Sequence, residues 1–123
     1  VAAPRGWAVL ATSGGSTSAV LVFFLDASGA PSAPARRYFG ADYGASIAAR
    51  STGFAMVAHR ASGEPELRAF DATGAPTSAW VCLSGPLAVA GGLGIDADPA
   101  GYATVFTTDE GNIGFALVDQ TGH

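Results

Sequence analysis

One motif appears three times in register along this chain, a Gly–aromatic–Ala start leading into an apolar run. It reads Gly6-Trp7-Ala8-Val9-Leu10-Ala11-Thr12, Gly53-Phe54-Ala55-Met56-Val57-Ala58-His59 and Gly101-Tyr102-Ala103-Thr104-Val105-Phe106-Thr107. Gly6 and Gly53 are 47 residues apart, and Gly53 and Gly101 are 48 apart. Each copy is followed by a further hydrophobic run that closes in an Asp-x-[Ser/Thr]-Gly turn: Asp26-Ala27-Ser28-Gly29, Asp71-Ala72-Thr73-Gly74 and Asp119-Gln120-Thr121-Gly122. A fixed period of this length marks a chain built from stacked supersecondary units, none of which buries its hydrophobic face alone.

The turns have a physical reading. An Asp in first position can accept hydrogen bonds from backbone N–H groups two residues on, and Gly tolerates positive φ at the exit. The product is a short reversal between antiparallel strands, of the type I turn with a Gly bulge. Pro31 and Pro76 follow the first two turns. Proline cannot donate to a ladder, so the next strand is expected to start late or to lie at an edge.

Each repeat reads as four strands. The first is short, at Ser46 to Ala49 and Gly94 to Ala97; the second is the Gly–aromatic strand. The third spans Val20 to Leu25, Leu67 to Phe70 and Ile113 to Val118, and the fourth spans Ala35 to Phe39 and Ala79 to Leu83. Val20-Leu21-Val22-Phe23-Phe24-Leu25 is apolar on both faces, as befits a strand whose sheet lies between two others. No stretch has helical periodicity of useful length. The expected fold is all-β, with repeats at about 1–45, 46–93 and 94–123 and strands grouped as three, four and three.

Nearly half of the residues are hydrophobic and 13% are charged, which excludes a disordered chain. A net charge of −4 argues against nucleic acid as a partner, because phosphate binding needs a basic face. No apolar run approaches the roughly 20 residues of a membrane-spanning helix. Cys82 cannot form an intrachain disulfide, being the single cysteine, and Trp80-Val81-Cys82-Leu83 places it as a small buried hydrophobe in a strand.

The Gly–aromatic–Ala starts and Asp turns resemble bacterial β-propeller repeats of secreted, lectin-like or uncharacterised surface proteins, over nearly the whole chain. The resemblance implies four-stranded antiparallel blades and a secreted or cell-surface location. A β-trefoil or another β-sandwich is the alternative fold, but a trefoil of 123 residues would have a period near 41. Ten strands fall short of a closed propeller of four to eight blades. Other copies of the chain or further repeats are therefore expected as partners that complete a ring.

The search for chemistry returns little. Ser–His–Asp catalysis needs a His beside a nucleophile, yet His59 occupies the repeat position of Thr12 and Thr107, a strand end facing solvent or a loop. There is no nucleophile elbow, phosphate-binding loop or dinucleotide fingerprint, and no cofactor is called for. Asp96 and Asp98 are spaced as in a calcium loop, but Pro99 shortens it and no later Glu completes a shell of six or more oxygens, so a structural turn is the favoured reading. Glu64, Glu66, Asp109 and Glu110 fall in or beside loops, where they serve solubility.

Residues that break the repeat symmetry are better leads. Arg36, Arg37, Tyr43 and Trp80 have the aromatic and guanidinium chemistry that stacks on or bonds to a glycan or protein partner. The competing reading of the Arg pair, and the favoured one, is a charged outer edge that blocks strand pairing; that of Trp80 is a buried ring. The function expected is a non-enzymatic binding or assembly module, with a supporting domain of a larger secreted enzyme as the alternative.

Overall fold

The computed structural model describes residues 2–3, 6–13, 19–39, 45–59, 64–83, 92–108 and 110–119. Among these it contains β-strands and turns and no helix. Eleven strands run in chain order: β1 (Ala2–Ala3), β2 (Gly6–Ser13), β3 (Ala19–Asp26), β4 (Pro31–Phe39), β5 (Ala45–Arg50), β6 (Gly53–His59), β7 (Pro65–Asp71), β8 (Val81–Cys82), β9 (Leu93–Ala97), β10 (Gly101–Thr107) and β11 (Ile113–Asp119). They form three separate antiparallel meanders, β1-β2-β3-β4, β5-β6-β7-β8 and β9-β10-β11. The sheets do not close on one another. The first sheet has a short fourth member in β1, so the grouping is four, four and three.

The register makes the repeat explicit. Ala8 faces Phe24, Ala55 faces Ala69, and Ala103 faces Leu117. One turn further on, Leu10 faces Val22, Val57 faces Leu67, and Val105 faces Phe115. The opposite face carries Trp7 with Leu25, Phe54 with Phe70, and Tyr102 with Val118. Because successive side chains alternate between faces, each sheet has an "aromatic" face (Trp7, Phe54, Tyr102) and an "alanine" face (Ala8, Ala55, Ala103).

The three glycines that start the motif have one steric cause. A Cβ at Gly6, Gly53 or Gly101 would collide with the backbone carbonyl of Leu25, Phe70 or Val118, respectively. The second strand passes the end of the third too closely there for any side chain.

The sheets stack in one direction. The alanine face of the first sheet (Ala8, Val20, Val22, Phe24) packs on the aromatic face of the second (Phe54, Met56, Ala58, Phe70). The alanine face of the second (Ala55, Leu67) packs in turn on the aromatic face of the third (Tyr102, Val118). Every residue of β6 is therefore buried. Phe54 is the hub of the first interface, stacked on Phe70 at 5.0 Å and tilted against Phe24 at 5.8 Å between ring centroids. Arg50 ties the second sheet to the third: its guanidinium lies 5.3 Å from the centroid of the Tyr102 ring and donates to the Pro99 carbonyl at 2.9 Å.

The Asp turns form as the residues require. Asp26 Oδ1 accepts from the Ser28 and Ala30 N–H groups at 2.8 and 3.0 Å and from the Ser28 hydroxyl. Asp71 repeats this with Thr73 and Ala75. Gly29 and Gly74 sit at φ +85° and +81°. The β10–β11 hairpin reaches the same geometry without an Asp: Thr108 N–H donates to the Asn112 carbonyl, Thr108 Oγ1 accepts from Asn112 N–H, and Gly111 has φ +79°. The turn expected at Asp119–Gly122 lies, after Asp119, outside the described residues.

Several expectations need correction. β4 begins at Pro31 itself and not at Ala35; it is an edge strand, so the missing N–H of Pro31 costs no ladder bond. The second fourth strand shrinks to Val81–Cys82, with Pro76 in a single bridge to Phe70. Cys82 is exposed, because this short edge strand has a neighbour on one side only. His59 is fully buried and not solvent-facing, because the sheet that carries it is covered on both faces. Phe23, expected to be covered, is 40% exposed; the outward face of the first sheet has no neighbouring sheet.

Candidate functional site

Three places could carry a function: the seam between the fourth strands of the first two sheets, the turn end of the third sheet, and the outward faces of the two end sheets.

The seam gathers some of the symmetry-breaking residues. Tyr38 on β4 lies across from Val20, so its ring turns toward the second sheet and meets Phe70 edge-on at 4.9 Å. Its hydroxyl donates to the Gly74 carbonyl at 3.1 Å. Burial holds this phenol protonated above its ordinary range, with the positive charges of Arg36 and Arg68 pulling the other way. Arg68 lies over the rings of both Phe70 and Trp80, at 6.0 and 5.8 Å, and its Nε donates to the Ser78 carbonyl. Trp80 is half-buried and packs against the same core. It is thus a lid over Arg68 and the inter-sheet core, with only part of its ring left to stack on a ligand.

The two neighbouring arginines do not converge. Arg36 pairs with Val22 and faces the second sheet, where its charge helps to hold the Asp71 carboxyl ionised. Arg37 pairs with Leu21 and faces outward, exposed, on the other side of the sheet. Tyr43 lies outside the described residues. The four residues singled out by sequence therefore share no single site.

The turn end of the third sheet holds a cleft of about 540 Å³ lined by Asp96, Asp98, Gly101, Tyr102, Val118 and Asp119, among others. Asp96 and Asp98 are committed to the backbone. Asp98 Oδ1 accepts from Ala100 and Gly101 N–H at 2.7 and 2.9 Å, and Asp96 Oδ1 accepts from Ala97 N–H at 2.8 Å. Among the described residues no group of three His, Cys, Asp or Glu side chains could hold a metal ion. Asp98 builds the turn Asp98–Gly101.

The end faces were not identified from sequence. On the first sheet, Trp7, Val9 and Phe23 are between 40% and 49% exposed. On the third, Val105, Ile113, Phe115 and Leu117 are between 46% and 81% exposed. An antiparallel sheet that meets water on one face shows polar residues there, and the centres of these faces do not. The signal was present in the both-faces-apolar third strands, but sequence alone could not say which sheets lacked a neighbour.

Compared with protein-family models, curated proteins and solved structures, the chain matches none.

Proposed function

We propose that this chain is a non-enzymatic assembly module of β-propeller type, whose three sheets are blades and whose end faces dock further blades of the same kind. The observation that carries this reading is the one-way stacking order. Alanine face meets aromatic face at both internal interfaces, which leaves one unmatched face of each kind at the two ends. Between sheets the backbones come closest along the first- and second-strand side, at β2 with β5 and at β5 and β6 with β9. Close approach on that side supports a fan of blades around an axis, with the fourth strands β4 and β8 on the rim. A secreted or surface location belongs to this proposal, through the resemblance of the repeats.

Recognition of a glycan at the seam is a second reading, favoured by the partly exposed Trp80 beside Arg68. It is the weaker one, because Tyr38, Arg68 and Trp80 are already engaged with protein.

Light scattering coupled to size exclusion tests the assembly reading. A particle heavier than the 12.2 kDa chain is expected. A stable monomer that also fails to bind a hydrophobic dye such as anilinonaphthalene sulfonate would overturn it.

A further inference from the structure

We infer that the outward face of the third sheet seats on the outward face of the first sheet of a second copy, head to tail. This rests on the assembly reading and names its partner and contacts.

The argument is continuity with interfaces the chain already makes. At the first interface, Phe24 of an alanine face lies against Phe54 of an aromatic face. By register, Leu117 holds the place of Phe24, since each pairs with the Ala of its motif, Ala103 and Ala8. Trp7 holds the place of Phe54 at the start of the motif. A second copy that continues the stack therefore brings Leu117 against Trp7. Behind them, Phe115 takes the place of Val22 and Val9 that of Met56.

The two surfaces match in chemistry as well as in order. Both are apolar at their centres, and larger apolar patches of this kind mark interaction sites. The charges that border them differ in sign: Arg37 stands beside Leu21 on one, and Asp96 beside Ala103 on the other. Contact between unlike faces is heterologous, so it either closes into a ring or runs on as a filament.

The experiment is site-directed cross-linking in a Cys82→Ser background, which removes the exposed native thiol. Trp7→Cys and Leu117→Cys chains are prepared separately, then mixed, allowed to exchange and treated with a short bismaleimide. Cross-linked pairs are expected in the mixture and in neither chain alone, with a native mass above that of one chain. A Phe115→Glu chain is expected to fall to the mass of one chain while keeping its β-sheet circular dichroism. A Leu117→Cys chain that cross-links to itself would show like faces meeting and overturn the head-to-tail contact while sparing the assembly reading. A monomer that floats with phosphatidylcholine vesicles would assign the faces to lipid and overturn both.

Discussion

The Tyr38 hydroxyl donates to the carbonyl of Gly74, joining the outer strand of the first sheet to the turn that closes the second. This bond crosses between sheets that share no ladder, so its loss weakens stacking without disturbing either sheet. Tyr38→Phe should cost about 1 kcal/mol, the net worth of one hydrogen bond. Tyr38→Ala should cost more, roughly 2–3 kcal/mol, because the edge contact with Phe70 goes too. Urea melts followed by circular dichroism measure both. Burial raises the folded pKa of Tyr38 above its unfolded value of about 10. Its contribution is therefore complete below that pH and lost as pH rises through the higher folded value. Phenolate absorbance at 295 nm should show one tyrosine ionising late, and its delay should vanish in the Phe variant.

Phe54 is the fully buried member of a ring cluster that spans the first interface. Phe54→Ala should cost about 3–5 kcal/mol, the range for deleting a buried aromatic ring. That is a large part of the total stability of a domain this size. Trp7, at the equivalent repeat position, is 49% exposed. Trp7→Ala should therefore leave the unfolding free energy of an isolated chain within about 0.5 kcal/mol of its original value. Denaturation at high dilution separates the two variants; equal losses would contradict the stacking order.

The turn carboxylates predict acid sensitivity. The Thr73 hydroxyl, then the backbone N–H of Ala75, lowers the pKa of Asp71; the Ser28 hydroxyl and the backbone of Ala30 and Ser28 do the same for Asp26. A depressed folded pKa gives stability that is present above the unfolded value, about 3.9, and lost as pH falls through the folded one. Melting temperature should therefore drop from about pH 4 downward. Asp71→Asn should flatten that slope and lower the neutral-pH melting temperature by a few degrees. Thermal melts from neutral to strongly acidic buffer check the slope.

The repeat period, the strand order within a sheet and the Asp turns at 26–29 and 71–74 were legible in the sequence because each is fixed locally. A Gly–aromatic–Ala start and an Asp–Gly turn carry their geometry in their own residues. The loop at Thr108–Asn112 is expected from the ends of its strands, but its bonding is not, because Thr Oγ1 replaces the Asp carboxylate and the same bond pattern arises from a different residue. Burial was less legible because it depends on neighbours. His59 shares a repeat position with Thr107, yet it is enclosed because its sheet is the middle one. Arg36 and Arg37 looked like a pair in sequence, but strand alternation sends them to opposite faces. Trp80 reads in sequence equally as a ligand platform or a buried ring, and the Arg68 guanidinium beside it uses part of its surface.

Gly53 provides a test of the repeat's own logic. It adopts no positive φ, so conformational freedom is not the reason for a glycine there. The reason is the Phe70 carbonyl, which occupies the space a Cβ would need. Gly53→Ala must therefore push β6 away from the end of β7, in a sheet packed on both sides, and should cost about 3 kcal/mol or more. Gly29 is the converse: its φ is +85° and nothing lies within 4 Å of its Cβ position. Gly29→Ala meets only backbone strain, about 1–2 kcal/mol. Gly6 and Gly101 share the collision of Gly53, against Leu25 and Val118. Their Ala variants should thus rank with Gly53→Ala and above Gly29→Ala in chemical denaturation. If Gly29→Ala proved the most damaging of the four, close approach of the second and third strands would not be what selects glycine at the head of each repeat.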